Sequence, residues 1–185
     1  TRVYTDISEL IFDIRFLLKF LQKASLDFGG DITLEAKPDI DKPGSAFHVH
    51  LHLIDTQSVN IFAENEKCLM YSIGGLCKFM INDLKIFAPT DQSIKRYKYP
   101  DIHTPTTVSW GYNNRTAAIR LPCVTHNPQL KRIEHRVSGA DCCFEKAIVA
   151  IVKSVMHGIK FEINPPARIY GNASDPQYGC IKFIN

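Results

Sequence analysis

The sequence predicts an α+β fold, with a largely antiparallel sheet and packed helices, over a single domain spanning residues 1–185. Three observations predict it. Residues 47–53 alternate apolar and polar, which is the period of a half-buried strand. Three other stretches repeat apolar residues at helical spacing. The short strand candidates between 107 and 136 follow one another at hairpin-like intervals, which favours antiparallel neighbours over βαβ units.

Each element has its own signal. Asp6-Ile-Ser-Glu9 reads as a capping box. Leu10, Ile14, Leu17, Leu18 and Leu21 then recur at helical spacing, predicting a helix to about Ala24, with Gly29-Gly30 ending it. Ile32 to Ala36 reads as a short strand, and Lys37 to Gly44, with two prolines, as a loop. In 47–53, Phe47, Val49, Leu51 and Leu53 face one way and His48, His50 and His52 the other.

Residues 64–84 predict a second helix with Leu69, Ile73, Leu76, Phe79 and Met80 inward. Gly74-Gly75 weakens it in a way that allows close packing. Residues 88–105 hold three prolines and read as a long loop, a place where function concentrates. Thr107–Trp110, Ala117–Leu121 and Arg132–Arg136 read as strands. A third helix is predicted from Cys142 to His157 with Gly158 as its C-cap. The tail after Asn164 reads as irregular.

Composition excludes several classes. Of 185 residues, 45% are hydrophobic, enough for a sizeable core, and the net charge of +3 gives no reason to expect nucleic acid. No apolar run is long enough to span a membrane, and no signal peptide is visible. The six cysteines form no C-x-x-C pair. They read as reduced, mostly buried thiols of a cytoplasmic protein.

Three constellations could carry chemistry. His48, His50 and His52 share one strand face, and imidazole is the commonest metal ligand near neutral pH. By spacing alone this is a metal and nucleotide site, a zinc or hydrolytic site, or a solvated polar face. The second constellation is arginine-rich: Arg96, Arg115, Arg120, Arg132 and Arg136, with Glu134 between the last two. A carboxylate between guanidiniums stays ionised and suits a divalent metal, and clustered guanidiniums suit polyphosphate. An ordinary salt-bridge ladder would look the same. The third is the 95–105 segment with Lys95, Arg96, Asp101 and His103, either an active-site lid or a surface loop.

These pieces fall in a recognisable order. Ile32-Thr-Leu-Glu-Ala-Lys-Pro38 followed by Gly44-Ser-Ala-Phe-His48-Val-His50 resembles a paired stretch of the glutamine synthetase family. Ser93-Ile-Lys-Arg96-Tyr97 resembles its S-Y-K-R-L. Asn114-Arg115-Thr-Ala-Ala-Ile-Arg120-Leu-Pro122 resembles N-R-S-A-x-I-R-I-P, and Arg132-Ile-Glu134-His-Arg136 resembles R-I-E-x-R. The resemblance implies the fold of that family's catalytic domain, incomplete at both ends. It implies an ATP-dependent glutamate–ammonia or glutamate–amine ligase using Mg or Mn, with a γ-glutamyl phosphate on the way to the amide. His48 and Glu134 would bind the metal. His50, Arg115, Arg120 and Arg132 would contact ATP. Gly44, Arg96 and Arg136 would hold glutamate, and Arg115, Arg120 and His103 would act at the reacting groups.

The resemblance further implies a ring-shaped homo-oligomer, dodecamer-like. It also implies that other metal carboxylates precede Thr1 and a helical region follows Asn185. There are departures. Pro43 stands where the family has asparagine, His52 replaces a serine, and Cys142-Cys143-Phe144-Glu145 replaces N-P-Y. The flap glutamate aligns with His103, two residues after Asp101. These fit an altered amine substrate, or a catalytically inactive scaffold or binding protein of the same ancestry.

Overall fold

The computed structural model describes residues 4–184. They fall into two compact units, divided between Leu34 and Glu35.

The first unit is built on α1 (Ile7–Asp27), three residues longer than the spacing predicted. Asp6 caps it by accepting a bond from the Ser8 N–H at 2.7 Å. Gly29 at φ 72 takes the left-handed turn that follows. The helix has two apolar faces. Leu10, Ile14 and Leu18 are half-buried, and Leu17 and Leu21 on that same face are exposed, whereas Phe12, Phe16 and Phe20 lie exposed on the other side. The strand expected at Ile32–Ala36 does not form, and this stretch is irregular.

The second unit carries a small mixed sheet. Its strands are β1 (Val49–Leu51), β2 (Trp110–Tyr112), β3 (Ile119–Leu121) and β4 (Ile133–His135), in the order β1-β4-β3-β2. β4 pairs antiparallel with β1 and with β3, whereas β2 and β3 run parallel. The expectation of hairpin neighbours therefore fails at that last pair. The chain turns out of β2 at Asn113, left-handed at φ 47, and doubles back before starting β3. The Asn113 N–H still bonds to the Leu121 carbonyl at 2.8 Å. The strand expected at Thr107–Trp110 starts only at Trp110. Thr107 instead bridges to Lys182, and Val108 donates to the Ile181 carbonyl, so the tail occupies that edge.

Two helices form the core beside the sheet. The helix expected over 64–84 forms as α3 (Glu66–Phe79), five residues short at its end, with the short α2 (Ile61–Glu64) before it and α4 (Leu84–Phe87) after it. Asn65 separates α2 from α3. Its extended backbone ends α2, and its side chain caps α3 through the Cys68 N–H at 3.0 Å. Leu69, Ile73, Leu76 and Met80 are buried as their spacing required, and Phe79 is half-buried. α6 (Phe144–Lys160) starts later and runs further than predicted.

Gly158 is inside α6, not at its cap, for a packing reason. A Cβ there would sit 2.1 Å from the Tyr71 carbonyl oxygen, and one on Gly75 would sit 2.1 Å from that of Ser154. The glycines let the α3 and α6 backbones touch, which is the use the Gly74-Gly75 pair suggested.

The 88–105 segment is not a plain loop. It contains α5 (Asp91–Lys98), whose Thr90 cap accepts from the Ser93 N–H at 3.1 Å. Pro89 and Pro100 bracket this helix, and their presence is what made the segment read as irregular. Among the described residues all six cysteines are free. Only Cys77 and Cys142 are buried, and Cys123 and Cys143 are exposed, against the expectation of mostly buried thiols. No helix of the described residues is long and apolar enough to cross a membrane.

Candidate active site

Sheet register assembles the site. His50 on β1 and Arg120 on β3 both lie directly opposite Glu134 on β4. Side chains so paired project from the same face, a few ångströms apart. The neighbouring row, Val49–His135–Ile119, faces the opposite way into the core. His135 there is 1% exposed and packs its ring 4.7 Å from Phe87. Burial, with a lesser push from His48, lowers its pKa to about 3, so it is neutral.

Glu134 is the hub. It is 3% exposed and takes Arg120 Nη1 on Oε2 at 2.7 Å and Arg136 Nη1 on Oε1 at 2.6 Å. His48 Nδ1 stands 3.3 Å from the same Oε1, and His50 Nε2 stands 3.9 Å from it. Burial pushes the Glu134 carboxyl up. The bonds from His48 and Arg120, with the charge and bond of Arg136, outweigh that and hold it far below the usual carboxylate range. His50 is shifted down, by burial first, and Arg132 Nε approaches its Nδ1 to 3.2 Å.

The two buried arginines are held differently. Arg136 Nη2 donates to the carbonyls of His103 and Arg115, both at 3.0 Å. Arg96, 3% exposed, donates to the Val137 carbonyl at 2.8 Å, beside the Tyr97 hydroxyl, which reaches the same oxygen. Gly44 presses on Arg96: an added Cβ would lie 3.1 Å from Arg96 Cγ and 2.7 Å from the Ala36 oxygen. Gly44, His48, Arg96, Asp101, His103 and Arg136 line one pocket.

Arg120 Nε and Arg136 Nε are buried without a partner among the described residues. Orphaned guanidinium donors beside a carboxylate call for a further acceptor, and a phosphate or carboxylate supplies one. For a divalent metal, His48 Nδ1 and Glu134 Oε1 fit as two adjacent ligands. Among the described residues no group of three His, Cys, Asp or Glu completes a set. Two protein ligands with water in the remaining positions is a familiar arrangement for Mg²⁺.

Most of the predicted residues meet here: His48, His50, Arg96, Arg120, Arg132, Glu134, Arg136 and Gly44. Two contribute otherwise. Arg115 and His103 are exposed, and their backbone carbonyls, not their side chains, enter the hub through Arg136. His52 joins none of these contacts.

Sequence reasoning missed two supports. Asn113 Oδ1 accepts from Arg120 Nη2 at 2.6 Å and orients that guanidinium. Asn114 Oδ1 accepts from the Thr116 N–H and hydroxyl, while its Nδ2 donates to the Gly171 carbonyl at 2.8 Å. The tail thus fixes the turn that carries Arg115. An Asn-Asn pair between strands was the available signal.

Fold and site define a domain whose sheet presents one ionised carboxylate among guanidiniums and imidazoles, suited to polyanions and a divalent metal. The family model for the glutamine synthetase catalytic domain matches residues 10–179, and the chain belongs to the glutamine synthetase family. It is 31% identical over 150 residues to gamma-glutamylputrescine synthetase of Escherichia coli (strain K12), covering 78% of this chain and 31% of that protein. It is 34% identical over 158 residues to a glutamine synthetase of Pyrococcus horikoshii, covering 83% and 35%. Against glutamate–isopropylamine ligase of a Pseudomonas species it is 28% identical over 176 residues, covering 92% and 38%. The chain spans about a third of the length of these curated relatives.

Proposed function

We propose that this chain carries part of the active site of an ATP-dependent glutamate–ammonia or glutamate–amine ligase. The observation that supports the reading most is the cross-strand row His50–Glu134–Arg120, flanked by His48 and Arg136. In the proposal His48 and Glu134 hold Mg or Mn, which would neutralise charge on the nucleotide phosphates. His50, Arg115, Arg120 and Arg132 contact ATP, and Gly44, Arg96 and Arg136 hold glutamate. Clustered guanidiniums favour the charge that develops as the terminal phosphoryl passes from ATP to the glutamate γ-carboxylate oxygen. The amine nitrogen then bonds to the acyl carbon, phosphate leaves, and the amine gives up a proton. Arg115, Arg120 and His103 stand nearest these events in the reading, with the exposed His103 imidazole as a proton acceptor.

Three relatives are named for putrescine, ethanolamine and isopropylamine products or substrates. With His103 where the family has glutamate, we favour an organic amine over ammonium. Residues 1–185 as one partial catalytic domain, a ring-shaped homo-oligomer and a cytoplasmic location belong to the same proposal.

The test is phosphate release by the full-length polypeptide with Mg²⁺ or Mn²⁺, ATP, glutamate and a panel of amines. Release that needs both glutamate and an amine, and that disappears in His48→Ala, supports it. No release with any amine, together with no binding of Mg-ATP, overturns it. That second outcome with intact rings would favour an inactive scaffold, the reading motivated by Pro43 and His103 at the pocket rim.

A further inference from the structure

Two segments distant in sequence, residues 43–44 and the turn at 101–104, line the pocket beside His48, Arg96 and Arg136. Each would be free to move if only its own backbone held it. Asp101 joins them. Its Oδ1 accepts the His103 N–H at 2.7 Å, closing an Asx turn, and its Oδ2 accepts the Gly44 N–H at 3.3 Å across 57 residues. The Asp101 carbonyl accepts the Thr104 N–H at 3.1 Å.

The far side of the same turn is anchored as well. The His103 carbonyl accepts Arg136 Nη2 at 3.0 Å, and Arg136 Nη1 reaches Glu134 at 2.6 Å. An unbroken series of bonds therefore runs from Gly44 through Asp101 and His103 to Arg136 and the hub.

We propose that Asp101 is a positioning residue: its carboxylate latches the 101–104 turn to Gly44 and so fixes both His103 and the Arg136 guanidinium at the pocket mouth. An ionised carboxylate suits the role, because charge strengthens both N–H bonds. Burial acts to raise the Asp101 carboxyl, but the His103, Thr104 and Gly44 bonds and the Arg96 charge prevail and keep it low. A merely solvated loop aspartate would not reach across to a second segment. In its catalytic consequence the proposal rests on the ligase reading, whereas the latch itself does not.

The test compares Asp101→Ala and Asp101→Asn with the unaltered full-length protein. Amide hydrogen exchange is read at Gly44 and at 101–104, with α3 and α6 as the fold control. The alanine variant is expected to exchange at least tenfold faster at Gly44 and His103, with α3 and α6 unchanged. The asparagine variant, which keeps one acceptor oxygen, should fall between. In amine-dependent turnover the alanine variant should lower kcat/KM at least fivefold, with the KM for glutamate raised where Arg136 shifts and kcat lowered where His103 shifts, and asparagine should recover part of it. Unchanged exchange at Gly44 and His103 in both variants overturns the latch. Faster exchange with both KM and kcat unchanged keeps the latch but overturns its positioning role. If the unaltered protein shows no turnover, the ligase reading fails and the exchange result still decides the latch.

Discussion

Replacing Glu134 by glutamine tests the hub most directly. The carboxylate is 3% exposed, and its two oxygens each hold a guanidinium, at 2.7 and 2.6 Å. Glutamine keeps the shape and one acceptor oxygen but turns an amide N–H₂ toward an arginine. Removing one partner of a buried ion pair costs about 3–5 kcal/mol, chiefly because the other charge is left buried and unpaired. The retained acceptor places the variant near the lower end, about 3 kcal/mol. For a chain of this size that is a fall in Tm of roughly 6–12 °C. Arg136→Met should carry a comparable cost.

The double variant should be less unstable than the sum of the two, by at least ~2 kcal/mol, because it removes both charges together. Urea titrations of the four proteins close the cycle. The reasoning is refuted if Glu134→Gln lies within about 0.5 kcal/mol of the parent, or if the two costs simply add. pH supplies a second axis. The folded Glu134 pKa is depressed below its unfolded value of 4.5. Its contribution is therefore fully present above about pH 4.5 and is lost as the pH falls through the folded value. The gap between parent and Glu134→Gln should be flat from pH 8 to about 5 and should narrow only in stronger acid.

Three further outcomes follow from particular contacts. Gly75→Ala would gain about 1 kcal/mol of helix propensity. Its Cβ would lie 2.1 Å from the Ser154 oxygen, a clash with backbone that puts the overpacking cost at about 3 kcal/mol, the upper end, and the net loss at about 2 kcal/mol, so calorimetry should show a lower Tm; a raised Tm would contradict the close helix contact. Arg136→Lys keeps the charge but cannot reproduce the fork that reaches Glu134, His103 and Arg115 together. It should cost about 2 kcal/mol and weaken glutamate binding in calorimetric titration, unlike Arg132→Lys, whose side chain bonds to His50 and the Leu130 carbonyl. Asn60 is 2% exposed and donates to the Gln129 and Lys131 carbonyls while capping α2. Asn60→Ala should cost about 2 kcal/mol in urea unfolding, more than a simple cap, because the buried amide holds two carbonyls of a distant segment as well as the α2 cap.

Some of this was legible residue by residue. Period-2 alternation placed His48 and His50 on one face, and it put Arg132, Glu134 and Arg136 together, because a strand's geometry is local. Helical spacing identified α1, α3 and α6, and the order of the arginine motifs pointed to the family that the comparisons then showed. The errors were also local in origin. Prolines at 89 and 100 hid α5 between them, the helix expected to reach residue 84 ended at Phe79, and Gly158 was read as a cap when a neighbouring backbone required it.

The histidine strand and the arginine motifs were thus determined by the sequence, as were the charge types and the alternating faces that any site here must use. Their meeting was decided only by tertiary structure. Pairing β4 between β1 and β3 sets His50 and Arg120 opposite Glu134. A shift of one residue in either pairing would turn those side chains to the other face. The same holds for Arg115 and His103, which sequence nominated for their side chains. In the fold their carbonyls are what bond into the hub, because the direction of a loop's backbone groups depends on what packs against it, and here that is Arg136.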